Sequence, residues 1–411
     1  MKSYTAMQKG RLFLKSGVCS LCPDVLITWQ LCQERSVAAS QFQVIRSLVS
    51  APGQPQTGEQ RASENKRGLR AIDLARRQRE SKEEASGPRG KTLKKANLKE
   101  AQPVSPLQRR VAELKQYSQQ LQNVHPNVLA KTLHKSIVFK NQDLVAINKP
   151  YGVPVHDTAD GSTSIASILP VLAQMLHGMR TERQLHICHK LDKSTTGVLL
   201  LGQSEEATEH IQSLFKALQV ERKYWAVSEG IPVPSEGVVD IPVIEREVTG
   251  PKPHFKMGLS PLFRPSDGGE GVSRVRANRH AHSAVTQYRV LDSSYGCSLV
   301  ELHPVTDVKD QVRVHMALAL GCPILGDHKY AHWEKLAPQQ LPKGVLRHLG
   351  LEQSKVRHLP LHLHHHHLTL PSFRGHGDIT LFCRLPKFFT SSVQKLHLSL
   401  PEKTGNEVTG T

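Results

Sequence analysis

Between Ala51 and Val104 the chain carries no Phe, Tyr or Trp, while Pro, Gly, Ser, Gln, Glu, Lys and Arg recur throughout. A segment with so little to bury cannot offset the entropy of ordering it, so residues 51–104 are expected to be a basic, disordered linker. Any sizeable core must then be built from the residues that follow. The hydrophobic content of 38% over 411 residues fits an ordered body with long polar extensions. Charge divides the same way. Met1 to Ala130 holds 22 Lys/Arg against 10 Asp/Glu, so +12 of the chain's net +18 lies in its first third. A basic arm on a milder body suits a polyanionic partner or an import leader; a solvated linker is the plainer alternative.

Residues 1–50 read as that leader. Lys2, Lys9, Arg11 and Lys15 precede the first acid, Asp24, with Leu12, Phe13, Leu14 and Val18 among them. An acid-poor basic start of this kind predicts a mitochondrial transit segment and the mitochondrial matrix as destination. Cys19 and Cys22 lack a second ligand pair at zinc spacing, so no metal is expected there. Seven cysteines in 411 residues exclude a disulfide scaffold, and the odd count leaves at least one thiol unpaired. No run approaches the ~18 consecutive apolar residues of a spanning helix, so no membrane span is expected.

Ser105-Pro106 offers an N-cap and a proline at the first helical position. Val111, Leu114, Tyr117, Ser118 and Leu121 follow at helical spacing, predicting an amphipathic helix within residues 105–126. The ordered body is expected over residues 127–400, with a polar tail at 401–411. Strands are predicted at Ile137–Phe139, Leu144–Asn148, Val198–Leu201, Lys223–Val227, Val238–Val243, Ala284–Leu291, Cys297–His303, Leu361–Leu370 and Ile379–Leu385. Helices are predicted at Ser164–His177, Ser204–Leu218 and Gln311–Leu320, and residues 245–283 read as a basic loop. Strands without a regular βαβ alternation define an α+β class with a mixed, mainly antiparallel sheet and flanking helices.

The most specific segment is His189-Lys190-Leu191-Asp192-Lys193-Ser194-Thr195-Thr196-Gly197, which runs directly into the apolar Val198-Leu199-Leu200-Leu201. A loop aspartate before a buried strand is held by rigid scaffold and still open at a cleft, and Lys190 and Lys193 favour its ionised form. On the residues alone, an Asx-type turn into a core strand explains the segment equally well.

The segment resembles the catalytic motif of the RluA-type pseudouridine synthases. Asn148-Lys149-Pro150-Tyr151-Gly152-Val153-Pro154-Val155-His156 resembles that family's first motif. Lys223-Tyr224-Trp225-Ala226 resembles its tyrosine-bearing strand. Gln311-Val312-Arg313-Val314-His315, with Pro323-Ile324-Leu325-Gly326-Asp327 after it, resembles the third motif. The resemblance covers Asp143 to Leu370. It implies a pseudouridine synthase fold with a central active-site cleft, in which the N1–C1′ bond of uridine breaks, the uracil turns, and C5 bonds to C1′. No cofactor and no metal are implied. Asp192 would be the nucleophile at C1′ or the base at C2′. Arg313 would hold that carboxylate in bidentate geometry, and Tyr224 would stack on a uracil flipped from its helix.

His189, Lys190, Lys193, Thr196, Lys149, His156, Lys223 and His315 are the residues the resemblance places on substrate RNA. With the leader, it implies mitochondrial ribosomal, transfer or messenger RNA as partner, and RNA-granule or ribosome-assembly proteins around it. Three positions depart from the family pattern. Lys190 replaces an arginine, Asp307 a turn glycine, and Asp310 a histidine, the last two adding negative charge near the site. They motivate an alternative, a non-catalytic RNA-binding or ribosome-assembly factor on the same fold. A glycoside hydrolase fits poorly, because only one carboxylate sits in a specific motif. The run His362, His364, His365, His366 and His367 reads as a histidine-rich strand end rather than a zinc site.

Overall fold

Ser105, the first residue the structure describes, caps a helix. Its hydroxyl accepts from the Gln108 amide and the Gln108 side chain accepts from the Ser105 amide, a reciprocal capping box. The structure, a computed structural model, describes residues 105–401 apart from 122–123, 159–160, 180–181, 250–252, 266–271 and 373–376. The expected leader, linker and tail lie outside the described residues, except Pro401 at the start of the tail.

Helix α1 (Pro106–Gln119) is shorter than its expected span, and a second helix, α2 (Pro126–Lys135), follows it. The hairpin β1 (Ile137–Lys140) and β2 (Leu144–Lys149) comes next, then α3 (Ile165–His177), capped by Ser164. A two-residue β3 (His186–Ile187) leads through the Asp192 loop to β4 (Thr196–Gly202). Helix α4 (Glu205–Lys216) buries Ala207, Ile211 and Leu214 on one face, at helical spacing. The chain continues as β5 (Glu221–Glu229) and β6 (Glu236–Asp240). It then forms the hairpin β7 (Val243–Val248) and β8 (His254–Leu259), and the short pair β9 (Phe263–Pro265) and β10 (Val272–Arg274).

These last four strands occupy the stretch expected to be loop. The β7–β8 burial does not alternate cleanly and charged residues fill its centre, so a two-residue period was not visible there. Then come β11 (Val285–Ser294), β12 (Cys297–Pro304) and a short helix α5 (Gln311–Val314) that widens into a π-turn over His315–Ala319. Helix α6 (Lys343–Leu349), a 3₁₀ turn at Gln353–His358, β13 (Leu363–Leu370), β14 (Ile379–Phe382) and α7 (Lys387–Lys395) complete the described chain.

Among the described residues, ten strands form one sheet in the order β1-β2-β4-β13-β5-β12-β11-β6, with β3 on β4 and β14 on β13. Every pairing is antiparallel except β4 with β13. The sheet is buried on both faces at its centre, which explains the unbroken apolar run of β4. On β5, side chains alternate: Tyr224 and Ala226 enter the core beneath α2 and α3, while Trp225 and Val227 face the core of α1, α6 and α7. Val198 to Leu201 are fully shielded, each contributing about 2 kcal/mol of apolar burial.

Candidate active site

The Asp192 loop is tied down by the segment that follows β2. Lys149, fully buried, donates through Nζ to the carbonyls of Thr195 at 2.9 Å, Lys193 at 3.1 Å and Pro150 at 3.2 Å. Gly152 donates its amide to Lys193 O at 2.9 Å, and Thr195 closes a turn onto Asp192 O at 3.1 Å. Burial pushes the Lys149 ammonium down to about 7, against the opposing pull of the Asp192 charge. Gly197 ends the loop with φ +114°, where a Cβ would lie 2.1 Å from His365 O across the parallel β4–β13 contact. The loop therefore enters the sheet at a point where only glycine fits.

Asp192 emerges with its side chain 48% exposed. Its carboxyl is nevertheless pushed above the usual range, first by desolvation from the protein atoms around it and then by the charge of Asp310; Arg313 and Lys329 oppose this. Arg313 Nη1 lies 3.7 Å from Asp192 Oδ2, an ion pair longer than a hydrogen bond. The bidentate partner expected at Asp192 is instead Asp327, whose two oxygens accept from Arg313 Nε and Nη2 at 2.8 Å each. Arg313 Nη1 donates at 3.0 Å to Asp310. The guanidinium is aimed by Asp327 and shared between Asp310 and Asp192.

Tyr224 is buried beside this group, and burial pushes its phenol up to about 12. Its ring lies flat on that of His365, centroids 4.5 Å apart and planes 13° from parallel. On the opposite face of β5, Trp225 stacks on His366 at 3.9 Å. The histidine run thus supplies ring platforms on both faces of the sheet. His364 bonds Thr196 Oγ1 at 2.8 Å, and His367 stacks on Phe382 at 4.6 Å, shifted by a bulge between His365 and His367.

Three of the residues expected on RNA, Lys149, Thr196 and His315, are buried in the protein, and a fourth, His189, is half-buried. Lys149 holds loop carbonyls, as described. Thr196 bonds His364. His315 is bridged between Thr286 Oγ1 at 2.9 Å and Ile241 O at 3.0 Å. His189 packs its ring on Phe215 at 4.8 Å, and its Nε2 accepts from the Leu200 amide at 3.1 Å. Each has its polar atoms engaged by backbone or side chains, which corrects the expectation for these four. His156, Lys190 and Lys193 are exposed, and Lys223 is partly exposed, 2.9 Å from Glu221.

The two added acids are both paired. Asp307 meets Arg222 at 2.6 Å, and Asp310 accepts from Lys329 at 2.6 Å and Tyr330 at 2.7 Å. Arg222, Asp327, Lys329 and Tyr330 were assigned no role from sequence. The available signal was Arg313 itself, since a buried guanidinium needs a carboxylate partner.

Asp192 on the loop before β4, Arg313 of α5 at 3.7 Å from it, and Tyr224 on β5, two strands from β4, are what the three motifs supply to this region. The sequence model of the RNA pseudouridylate synthase family matches residues 143–318. A mitochondrial pseudouridylate synthase RPUSD4 from Danio rerio is 58% identical over 342 residues, covering 83% of this chain and 93% of that one. The Homo sapiens protein of the same name is 49% identical, covering 75% of this chain and 81% of that one. The solved structure of human RNA pseudouridylate synthase domain containing 4 superposes with a TM-score of 0.61 at 48% identity, covering 67% of this chain and 98% of that one. The chain belongs to the RluA-type RNA pseudouridylate synthase family. It is an isomerase acting on RNA, with the pseudouridine synthase fold expected from its motifs.

Proposed function

We propose that this chain converts uridine to pseudouridine in mitochondrial RNA with Asp192 as the reacting carboxylate. The observation that supports this reading is the 3.7 Å ion pair between Asp192 and Arg313, which joins two separate motifs, with the Tyr224 phenol of a third near enough to feel the Asp192 charge. Asp192 attacks C1′ or removes the C2′ proton; either role needs an ionised carboxylate within reach of substrate, and the loop leaves about half of the Asp192 side chain exposed. Tyr224, backed by His365, offers a flat surface on which the freed uracil stacks while it turns. The target base is hidden in a stacked helix, so the nucleotide is flipped into the cleft. Lys190, Lys193 and His156 then meet phosphates at its rim.

The relatives named mitochondrial support mitochondrial localisation, and the basic leader supports delivery to the matrix. Tritium release from transcripts of mitochondrial ribosomal and transfer RNA labelled at uridine C5 tests the assignment. Wild type releases tritium and Asp192→Ala does not, while both bind the RNA. Release by Asp192→Ala at the wild-type rate removes Asp192 from the chemistry.

A further inference from the structure

Arg313 Nη1 faces two carboxylates. It donates to Asp310 Oδ1 at 3.0 Å and stands 3.7 Å from Asp192 Oδ2. The other edge of the guanidinium is locked on Asp327 by two bonds of 2.8 Å. Nη1 therefore has little freedom, and in this structure it is drawn to Asp310 and stands outside hydrogen-bond distance of Asp192.

Asp310 is built to hold it. Its backbone sits in the left-handed region at φ +56°, where a non-glycine residue is uncommon and must be stabilised by its surroundings. Its second oxygen accepts from Lys329 Nζ at 2.6 Å and from the Tyr330 hydroxyl at 2.7 Å. Its side chain is 3% exposed. Asp192 is not held by Lys329 or Tyr330; its carboxyl lies in side-chain hydrogen-bond range of the Asp310 carboxyl, and about half of its side chain faces solvent.

We propose that Asp310 is a positioning residue: by keeping Arg313 Nη1 on its own carboxylate, it leaves Asp192 loosely paired and reactive. A carboxylate fully bonded to a guanidinium is a weaker nucleophile and base than one that is only near it. The inference rests on Asp192 being the reacting carboxylate. The charged and titratable groups acting on the pair are Arg313, Lys329 and Lys309, the buried Lys149, the Tyr330 and Tyr224 phenols, and Asp327 behind Arg313. Arg313, Lys329 and the Lys329 and Tyr330 bonds hold the Asp310 carboxyl at about 2 despite burial, so it stays charged. That charge and desolvation raise the Asp192 carboxyl. Activity, which requires ionised Asp192, is therefore lost as pH falls through this raised value.

Single-turnover tritium release across the acid limb tests the inference, using C5-labelled mitochondrial ribosomal and transfer RNA transcripts and wild type, Asp310→Asn, Asp310→Glu and Asp192→Ala. Circular dichroism defines the pH range in which each variant is folded. In Asp310→Asn, Nη1 turns to Asp192. The acid limb moves to lower pH and the plateau rate falls roughly ten- to a hundredfold, with RNA affinity within about twofold of wild type. Asp310→Glu retains the charge and keeps the wild-type limb. An Asp310→Asn enzyme with the wild-type limb and plateau overturns the inference. If the asparagine variant does not fold, an Asp310→Glu enzyme whose limb shifts to lower pH overturns it, and an unmoved limb upholds it. Tritium release by Asp192→Ala overturns the assignment of Asp192, and this inference with it; silence from Asp192→Ala beside an unaltered Asp310→Asn overturns this inference alone.

Discussion

Arg313 grips Asp327 through two parallel bonds of 2.8 Å, and Asp327 is completely shielded from solvent. The same carboxylate accepts the backbone amides of Lys329 at 3.1 Å and Tyr330 at 3.0 Å. One residue thus aims the guanidinium and folds the turn that brings Lys329 and Tyr330 to Asp310. Asp327→Ala leaves Arg313 buried without its main partner and two amides unmet. Loss of one partner of a buried pair destabilises by about 3–5 kcal/mol. Urea denaturation of the variant is expected to show a loss of that order, with activity lost even where the protein remains folded.

Lys149 acts on the catalytic loop from below. Its three carbonyl acceptors come from Pro150, in the turn after β2, and from Lys193 and Thr195, which follow Asp192 in its loop. Lys149→Met keeps the volume and removes the donor. The orphaned carbonyls destabilise by about 1–3 kcal/mol, partly offset by removing a buried charge. The larger effect is on geometry: a loop displaced by about 1 Å costs on the order of a hundredfold in kcat. KM for RNA stays near wild type because Nζ is inside the protein. A raised KM with unaltered kcat would instead place Lys149 on the RNA.

Gly197 separates backbone strain from collision. At φ +114° its missing Cβ is replaced by the His365 carbonyl, 2.1 Å from where a methyl would sit. Gly296 also has positive φ, +76°, but a Cβ there meets nothing within 4 Å. Gly296→Ala carries only the left-handed penalty of about 1–2 kcal/mol. Gly197→Ala must also push β4 from β13, so a loss above about 4 kcal/mol is expected. Thermal melting of the two variants side by side checks the difference.

Part of this arrangement was legible in the sequence. The Asp192 loop, the β4 run and the one-sided α4 follow from local pattern, whereas the bidentate grip expected of Arg313 on Asp192 is found on Asp327 instead. What stayed hidden is partner choice across the chain. Thr196 meets His364 168 residues away, and Arg222 meets Asp307 85 residues away. A motif specifies that a residue is needed, not whether it faces substrate or scaffold. Lys149, Thr196, His189 and His315 were read outward for that reason, although the first, second and last are buried and His189 spends Nε2 on the Leu200 amide. Asp310 was read as excess negative charge. Its three cationic or phenolic partners neutralise it, and only the fold of the 327–330 turn brings two of them to it.

The buried histidines set the acid limit of the fold. His315, His362, His364 and His365 are each at most 1% exposed. Burial pushes His315 and His362 down to about 4, His364 to about 3, and His365 well below its ordinary 6.5. In the unfolded chain all four take up protons below about pH 6.5, whereas the folded chain resists them. Their contribution to stability is complete above that pH and is lost as the pH falls toward 4. Each adds a slope of about 1.4 kcal/mol per pH unit, so the four together reach roughly 6, comparable to the whole stability of an ordinary domain. The protein is therefore expected to unfold near pH 5, and urea midpoints at pH 7.5, 6.5 and 5.5 should fall with increasing steepness. His365→Phe keeps a ring beneath Tyr224 but loses the 2.8 Å bond to Val198 O. It lowers stability at neutral pH and flattens the acid slope by about 1.4 kcal/mol per pH unit. An unchanged slope would show that His365 is already protonated in the fold.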